Sequence, residues 1–460
     1  MLTETVHEDS RLTFWLRVRE FAVPPSMIET ATARRADGDW AGACAAAGFD
    51  VDLDLRFLAR VRGRELASRI RADLRHLAPD LLRWHLPRIG PDGLLRPGLT
   101  IALARYGGPG AEDGPTLHLV VRTAPAWADS GQRISLALWD GSRATTGSCP
   151  YPHPRPDRRF RLDLHRHLWD ARRSDELRTR AGVGAGVGAD RPPGSSPDLP
   201  AGLPPGLPWA VDRWAAEAEI LLRAEGRPAG PVLVRFGARR RLVLDLPAAG
   251  ISLADGDTSR LPVLPDAATW TLPDLELLRT GSIAADRLHP LVASALRPDR
   301  APTSASPAPP RADGAGQPRP VQCRGALHRI GLVDGVLAAL DHDPDELRRE
   351  ELLVALTGAP LPCLQAIDEA HRRPESLADI RARLDHGDTA GALDAVERLL
   401  GPGALLRSGA LRDELEAAVQ QRVTYGLFRA GLAEPRRRST RPGPGLPHGH
   451  RSRARQAARH

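Results

Sequence analysis

Three stretches in the first half of the chain decide the fold class. They read LTIALARY at 99–106, TLHLVVRT at 116–123 and QRISLALW at 132–139. Each alternates apolar with polar residues, or stays apolar, over the length of a strand. Their connectors are too short for the crossovers that parallel neighbours need, which predicts an antiparallel meander. A fourth strand is predicted at 159–167 (RFRLDLHRH).

Helical spacing of apolar residues precedes this meander. It runs through 12–21, 27–37, 39–47 and 53–86. The longest of these runs has one continuous apolar stripe from Leu58 to Leu82, which is typical of a helix face buried against a sheet or another helix. We therefore predict an N-terminal helical layer packed on one face of an antiparallel β-meander, and an α+β class for the chain.

Two stretches rich in Pro, Gly, Ser and Ala divide the remaining sequence. They cover 181–208 and 298–320, and their composition predicts flexible linkers. The predicted domains are 1–180 (helical front plus antiparallel sheet), 209–297 (a small α/β block with a helix and a β-hairpin) and 321–432 (an all-helical C-terminal domain), followed by a disordered basic tail at 433–460. The sequence leaves open whether the strands of the middle block join the N-terminal sheet.

The charge of the chain is unevenly distributed. All 64 basic residues are Arg, since the sequence contains no Lys, and a GC-rich coding bias accounts for such a skew. The absence of Lys excludes a P-loop, a protein kinase and a Schiff-base enzyme in their usual forms. Residues 435–460 hold eight Arg and no acid, which leaves 56 Arg against 57 acids in the rest of the chain. The basicity of the protein therefore belongs mainly to its tail.

The tail offers candidate contacts for nucleic acid or another anion. These are Arg436, Arg437, Arg438, Arg451, Arg453 and Arg455. The tail contains no aromatic residue, so bases cannot stack on it, and the binding expected is nonspecific and salt-sensitive. The alternative is a tail that only keeps the protein in solution.

Two histidines at the end of the predicted fourth strand are the best metal candidates. His165 and His167 would share one face of the strand, with Cβ atoms about 7 Å apart, close enough for both rings to bind zinc. His118, or Cys149 with His153, would complete the ligands. The alternative is that both histidines are ordinary polar residues, and we expect no metal and no cofactor.

Other potential ligands have simpler explanations in the sequence. Cys44, Cys149, Cys323 and Cys363 form no CxxC pair, which predicts buried, reduced thiols. Asp341, His342 and Asp343 crowd a helix start at Asp343-Pro344. They could form a metal site, but capping and surface charge explain them better.

An internal similarity predicts two helical hairpins. Residues 33–48 (ARRADGDWAGACAAAG) and 382–397 (ARLDHGDTAGALDAVE) share a Gly-Asp pair and an Ala-Gly-Ala triplet. The Gly is expected to end one helix in a left-handed conformation and the Asp to cap the next. Each copy resembles a tetratricopeptide-type unit, although the regular period of such an array is missing.

The leading functional hypothesis is a non-enzymatic interaction protein, an adaptor or regulator whose helical hairpins bind a protein partner. It is favoured because every catalytic motif tested is incomplete, so an enzyme is not expected. The alternatives are a nucleic-acid-associated protein acting through the tail and a metal-dependent hydrolase using the His-x-His pair. The sequence has neither a signal peptide nor a membrane-spanning run, which predicts a cytoplasmic protein that binds no membrane.

Overall fold

The computed structural model describes residues 8–107, 116–141, 155–183, 203, 207–236, 240–248, 250–297, 318–323, 325–357, 361–372, 376–401 and 403–432. They form two units, one within Met1–Thr303 and one within Ser304–Leu432, here called the N-terminal and C-terminal units. Both combine helices with small sheets, so the predicted α+β class is confirmed.

Helices open the N-terminal unit, as predicted. They are α1 (Glu8–Arg17), extended by a π-helical turn (Val18–Ala22), α2 (Pro25–Ala36), α3 (Trp40–Ala46), α4 (Leu55–Arg62), α5 (Arg64–His76) and α6 (Pro79–His85). The predicted run at 53–86 is three helices. Gly63 separates the first two with a φ of 95°, a value that favours glycine, and Pro79 begins the third.

The predicted meander forms the first sheet. Its strands are β1 (Phe49–Asp52), β4 (Thr100–Tyr106), β5 (Leu117–Thr123) and β6 (Ile134–Trp139), while β2 (Arg88–Ile89) and β3 (Leu94–Leu95) pair separately. Strands β4, β5 and β6 are antiparallel, as the short connectors predict. The sequence did not predict β1, which pairs parallel to β6 and extends the sheet.

The predicted fourth strand is wrong. Residues 159–167 form consecutive turns, followed by a 3-10 helix at Arg166–Leu168. The backbone N–H groups of Leu164 and His165 donate to carbonyls three residues earlier, at Arg161 and Leu162, both at 3.1 Å. These turns bury Phe160, Leu162 and His165, and the burial does not alternate along the run as it would in a strand.

The middle block contributes a second sheet and several helices. They are α7 (Glu176–Arg180), α8 (Val211–Ala224), β7 (Gly230–Phe236), β8 (Arg240–Leu246), β9 (Gly250–Leu253), α9 (Asp266–Thr269), α10 (Pro273–Arg279) and α11 (Pro290–Leu296). The three strands form an antiparallel sheet of their own, which answers the question that the sequence left open.

The last helices of the middle block pack into the N-terminal core. Leu275 and Leu277 of α10 and Val292 of α11 belong to the same apolar cluster as α1–α6. Two buried polar contacts fix α6 against them: the Trp84 indole donates to Asp274 at 2.7 Å, and His289 Nε2 lies 2.8 Å from Asp80. The blocks 1–180 and 209–297 therefore share one core within one unit.

The guanidinium group of Arg83, on α6, is buried in this core. Its side chain donates to the carbonyls of Ala22 at 2.9 Å and Gln132 at 2.7 Å, and the residue is 1% exposed. Burial lowers its pKa to about 10. It links the first helices to the loop before β6.

Replacing Arg83 with Met should destabilise the N-terminal unit by about 3 kcal/mol, because buried carbonyls lose their donor. Urea unfolding followed by tryptophan fluorescence measures this, since all nine tryptophans lie before residue 271. Arg62→Met is the control: its side chain is 32% exposed and faces Asp140, and a change within about 0.5 kcal/mol is expected. Equal losses in both variants would contradict the role assigned to Arg83.

The C-terminal unit is not all-helical, and the prediction for 321–432 was wrong at its start. It begins with an antiparallel sheet of β10 (Arg319–Cys323), β11 (Ala326–Val333) and β12 (Val336–Ala339). A two-residue turn, Asp334-Gly335, joins the last two strands with φ values of 51° and 76°. Asp-Gly is a strong hairpin signal that the sequence prediction overlooked.

Helices complete the C-terminal unit. They are α12 (Pro344–Thr357), α13 (Pro362–Arg372), α14 (Leu377–His386), α15 (Thr389–Leu400) and α16 (Ala410–Arg429). Cys323, Ile330 and Leu337 of the sheet share an apolar core with Ile367 of α13 and Ile380 of α14.

Both predicted helical hairpins are confirmed, as α2–α3 and α14–α15. Gly38 and Gly387 have φ values of 78° and 85°, and the carboxylates of Asp39 and Asp388 accept from the backbone N–H of Gly42 and Gly391. A Cβ at Gly42 would lie 2.0 Å from its capping carboxylate, and one at Gly391 would lie 2.1 Å away. This crowding explains the Gly inside each shared Ala-Gly-Ala triplet.

Several predictions fall outside the described residues. They concern the tail at 433–460, residues 298–317, and all of 184–206 except Leu203. Leu203 and Leu207, both assigned to the first linker, pack against the core beneath β7–β9. None of the helices in the described part of the chain has both the length and the apolar composition that crossing a membrane requires.

Candidate metal centre

Cys323, His342 and Cys363 meet in the core of the C-terminal unit. Cys323 is the last residue of β10, His342 lies between β12 and α12, and Cys363 is the second residue of α13. The meander brings the ends of β10 and β12 to one place, and α13 packs against both strands. One potential ligand atom from each side chain lies within 4.8 Å of the other two.

The three side chains are enclosed. Both cysteines are 0% exposed, and the His342 side chain is 3% exposed. Burial and a hydrogen bond with Cys323 raise the pKa of the Cys363 thiol to about 11. The two sulfur atoms lie within 4.8 Å of each other.

His342 is oriented towards the cysteines by its surroundings. Its Nδ1 atom lies 3.6 Å from a carboxylate oxygen of Glu346, in the first turn of α12. Its Nε2 atom is buried and has no hydrogen-bond partner. A carboxylate beside one ring nitrogen, with the other nitrogen left for a metal, is the usual arrangement around histidine ligands. Leaving a buried ring nitrogen without a partner has a free-energy cost, which a metal ion would remove.

His328 is a neighbouring group with similar features. Its ring stacks on that of His342, with centroids 4.2 Å apart and planes inclined by 13°. Its Nδ1 atom is also buried without a hydrogen-bond partner. This β11 side chain therefore lies next to the three convergent ligands, although it is not one of them.

The three potential ligands are of the types that bind zinc. Two thiolates and an imidazole are the ligands that zinc prefers in structural sites. Ligand atoms at the usual zinc distances are separated by about 3.5 to 3.8 Å. Ligand atoms that now lie up to 4.8 Å apart would have to approach each other by about 1.0 to 1.3 Å. Such shifts are within the reach of side-chain rotation.

The residues around His342 are placed as the sequence predicts. Asp343 accepts from the backbone N–H of Asp345 at 2.8 Å at the start of α12, and Asp341 accepts from Arg329. Capping and surface charge thus account for the two aspartates. His342, between them, points inward instead.

The histidines predicted as metal ligands have other partners. His165 Nε2 lies 3.2 Å from Glu217, and its Nδ1 lies 3.0 Å from the carbonyl oxygen of Arg161. Burial raises the pKa of Glu217, but hydrogen bonds from His165 and Arg180 outweigh it and lower this pKa to about 2. His165 therefore belongs to a buried ion-pair cluster.

His167 and His118 do not complete a ligand set with His165. The rings of His165 and His167 are 5.7 Å apart, and His118 lies on β5 beside Trp139. Burial lowers the pKa of both His167 and His118. Among the residues with described positions, only Cys323, His342 and Cys363 form a group of three convergent potential ligands.

The other candidates cannot be placed. Cys149 and His153 lie outside the described residues, as do the six arginines of the tail. The two roles considered for the tail stay predictions.

Sequence reasoning missed the metal centre because its ligands are far apart in the chain. Cys323 and Cys363 are 40 positions apart, with His342 between them, whereas a short Cys-Cys spacing was sought. The usable signal was local: a Cys before a turn, a His before a helix start, and a Cys directly after the helix-starting Pro362. Such segment ends meet at the edges of a core.

Comparison with known proteins gives no further guide. The chain matches no protein-family model, no curated protein and no solved structure. Its function has to be inferred from its own residues.

Proposed function

We propose that the chain is a non-enzymatic interaction protein whose C-terminal unit is ordered by a structural zinc ion. The observation that carries this proposal is the convergence of two thiols and a buried, unpartnered imidazole nitrogen at one point. The ion would join the sheet β10–β12 to α12 and α13.

The enclosure of the site supports a structural role rather than a catalytic one. Catalytic zinc keeps one position open for water or substrate, whereas structural sites are closed. The two cysteines are 0% exposed, so a substrate would have no direct access to the ion. A metal-dependent hydrolase at His165 and His167 is less well supported, because the ring of His165 is held by Glu217.

The interaction role rests on the helices around this site. The hairpin α14–α15 forms as predicted and packs beside α16. Val419, Val423 and Leu427 are spaced four residues apart on one face of α16, and all three are exposed. Single exposed apolar residues are ordinary, but a row of three along one helix is typical of a surface that meets another protein.

Elemental analysis of the purified full-length chain tests the zinc site. We expect about one zinc ion per chain after loading with zinc and dialysis, and below about 0.1 in Cys323→Ser, Cys363→Ser and His342→Ala. Cobalt should give the absorption of a tetrahedral site with thiolate ligands. Cys44→Ser is the matched control, since Cys44 is an equally buried thiol in the N-terminal unit.

The same measurements can overturn the proposal. A wild-type chain that retains no zinc would reject it. Zinc that persists in all three variants but is lost from His165→Ala would place the metal in the N-terminal unit instead.

A further inference from the structure

A cleft of about 450 Å³ lies in the N-terminal unit, where the start of β4 approaches the sheet β7–β9. Its walls are tied together by backbone hydrogen bonds. The N–H of Asp157 donates to the carbonyl of Thr100, and that of Leu233 to the carbonyl of Pro262, both at 2.8 Å. The cleft is therefore already formed in the folded chain.

Positive charge dominates the lining of this cleft. Of its fourteen lining residues five are arginines, namely Arg155, Arg158, Arg159, Arg235 and Arg241, and one, Asp157, is acidic. Asp266 lies close by and pairs with Arg159 at 2.9 Å. Two carboxylates thus face five guanidinium groups, although the chain before the tail has balanced charge.

Two of these arginines are in direct cross-strand opposition. Arg235 on β7 and Arg241 on β8 are paired residues in the antiparallel register. Their Cβ atoms are therefore about 5 Å apart, and like charges placed in this way destabilise a sheet. Burial, Arg159 and Arg241 lower the pKa of Arg235, and Asp157 and Asp266 oppose this shift without reversing it.

The described residues do not neutralise the opposed pair. The Arg235 side chain makes no ion pair or hydrogen bond with any described residue, and the Arg241 side chain donates to the hydroxyl of Thr258 at 3.3 Å. Arg158, by contrast, is held in place by the carbonyls of Ser259 and Leu261. A preformed cleft with two opposed guanidinium groups that have no ion-pair partner among the described residues is the arrangement expected of an anion site.

The shape and chemistry of the cleft restrict the anion. Its volume lies in the lower part of the range for small-molecule sites, about 300 to 1,000 Å³. Leu99, Leu233 and Val263 supply an apolar wall for a carbon skeleton. No aromatic side chain lines the cleft within the described residues, so there is no platform for stacking nucleic-acid bases.

We propose that this cleft binds a small phosphorylated molecule carrying at least two phosphate groups, one of them bridging Arg235 and Arg241. The guanidinium group is planar and binds phosphate oxygens through paired N–H donors. A phosphate between the two strands removes the repulsion of the opposed pair. Arg158, which lines the same cleft, would meet the second phosphate.

Isothermal titration of the full-length chain with pyrophosphate, inorganic phosphate and citrate at constant ionic strength tests this proposal. Pyrophosphate should bind at least tenfold more tightly than inorganic phosphate, and citrate should fall well below pyrophosphate. Arg235→Gln and Arg241→Gln should each weaken pyrophosphate binding at least tenfold. Arg71→Gln, at an exposed arginine on α5 of the same unit, is the control and should leave binding unchanged.

The stability of the Arg235→Gln and Arg241→Gln variants, measured without ligand, distinguishes a binding role of these arginines from a structural role. Each of the two cleft variants should unfold at a higher urea concentration than the wild type, because the cross-strand repulsion is relieved. A structural role would lower the unfolding midpoint instead. Thus reduced stability in both variants would overturn the proposal, even if their binding were also weaker.

Other outcomes would also reject the site. Pyrophosphate binding that is absent in the wild type, or equal in Arg71→Gln and Arg241→Gln, would do so. So would a single-stranded oligonucleotide that binds through Arg235 and Arg241 more tightly than pyrophosphate. Because the cleft and the metal centre lie in different units, Cys363→Ser should retain pyrophosphate binding, and each proposal can fail alone.

Discussion

Replacing Cys363 with Ala should unfold the C-terminal unit while the N-terminal unit stays folded. Structural zinc contributes about 10 to 16 kcal/mol of apparent binding free energy in zinc-finger peptides. The free energy of unfolding of a whole domain is about 5 to 15 kcal/mol. Loss of a ligand therefore removes an amount comparable to the entire stability of this unit.

Hydrogen exchange read by mass spectrometry checks this result. Peptides covering β10–β12 and α13 should lose protection in Cys363→Ala, and in the wild-type chain after chelation. Tryptophan fluorescence should not change, because the C-terminal unit contains no tryptophan. Cys44→Ala should leave the exchange of the C-terminal peptides as in the wild type. Full protection of those peptides in Cys363→Ala would show that the unit does not depend on zinc.

Acid should unfold the N-terminal unit, beginning below about pH 6.5. Burial lowers the pKa of His85 from 6.5 to about 4 and that of His167 well below 6.5. The unfolded chain takes up protons near pH 6.5, whereas the folded chain resists them, so stability falls as the pH falls. The shift at His85 alone corresponds to about 3 kcal/mol, and His167 acts in the same direction.

Neighbouring charged groups also contribute to the lowered pKa values of His85 and His167. The groups that face His85 are Asp274, which opposes the shift, and His289, Arg88 and Arg19, which add to it. The groups that face His167 are His165, Arg180, His85 and Arg213, all of which lower its pKa. Below about pH 4.5 the loss continues, because the pKa of Glu217 is about 2 in the folded chain.

Urea midpoints read by tryptophan fluorescence at several pH values between 7 and 4 measure the effect. The expected slope is positive, with stability rising as the pH rises. In the double variant His85→Gln, His167→Gln the slope between pH 6.5 and 4.5 should flatten, whatever its absolute stability. An unchanged slope in this variant would assign the acid sensitivity to other groups.

The sequence predicted the elements whose periodicity is unambiguous. The meander β4–β6, the helices α1–α3 and the two capped hairpins have local signals, since alternation, Gly-Asp pairs and helix starts act over a few residues. Strand β1 was not predicted, because four residues between two helices carry too little pattern. The run at 159–167 was mistaken for a strand because its apolar and polar residues alternate in sequence, whereas the chain there forms turns.

The sites were harder to predict than the fold. His342 was dismissed because its neighbours Asp341 and Asp343 do have capping and surface roles, and nothing local shows that the ring between them turns inward. Arg235 and Arg241 lie opposite each other because of the register between β7 and β8. This register cannot be predicted from the sequence when the length of the connecting loop is uncertain. Both sites arise from contacts between distant segments.

The nearly equal numbers of basic and acidic residues before the tail gave no indication of the arginine-rich cleft. The chain before the tail has nearly equal numbers of basic and acidic residues, which suggested a neutral surface. The structure segregates these charges: acids pair with arginines at Asp73 and Asp170, whereas the cleft keeps a local excess of arginine. Total charge therefore says little about local potential.

The two contacts that fix α6 have a consequence for synthesis on the ribosome. The partner of Trp84, Asp274, is synthesised 190 residues after it, and the partner of Asp80, His289, is synthesised 209 residues after it. At translation rates of about 5 to 20 residues per second, the first helices emerge about 10 to 40 s before their partners. During that interval the side chains of α6 that pack against α10 and α11 have not yet met their partners, and this apolar surface is accessible to nascent-chain chaperones.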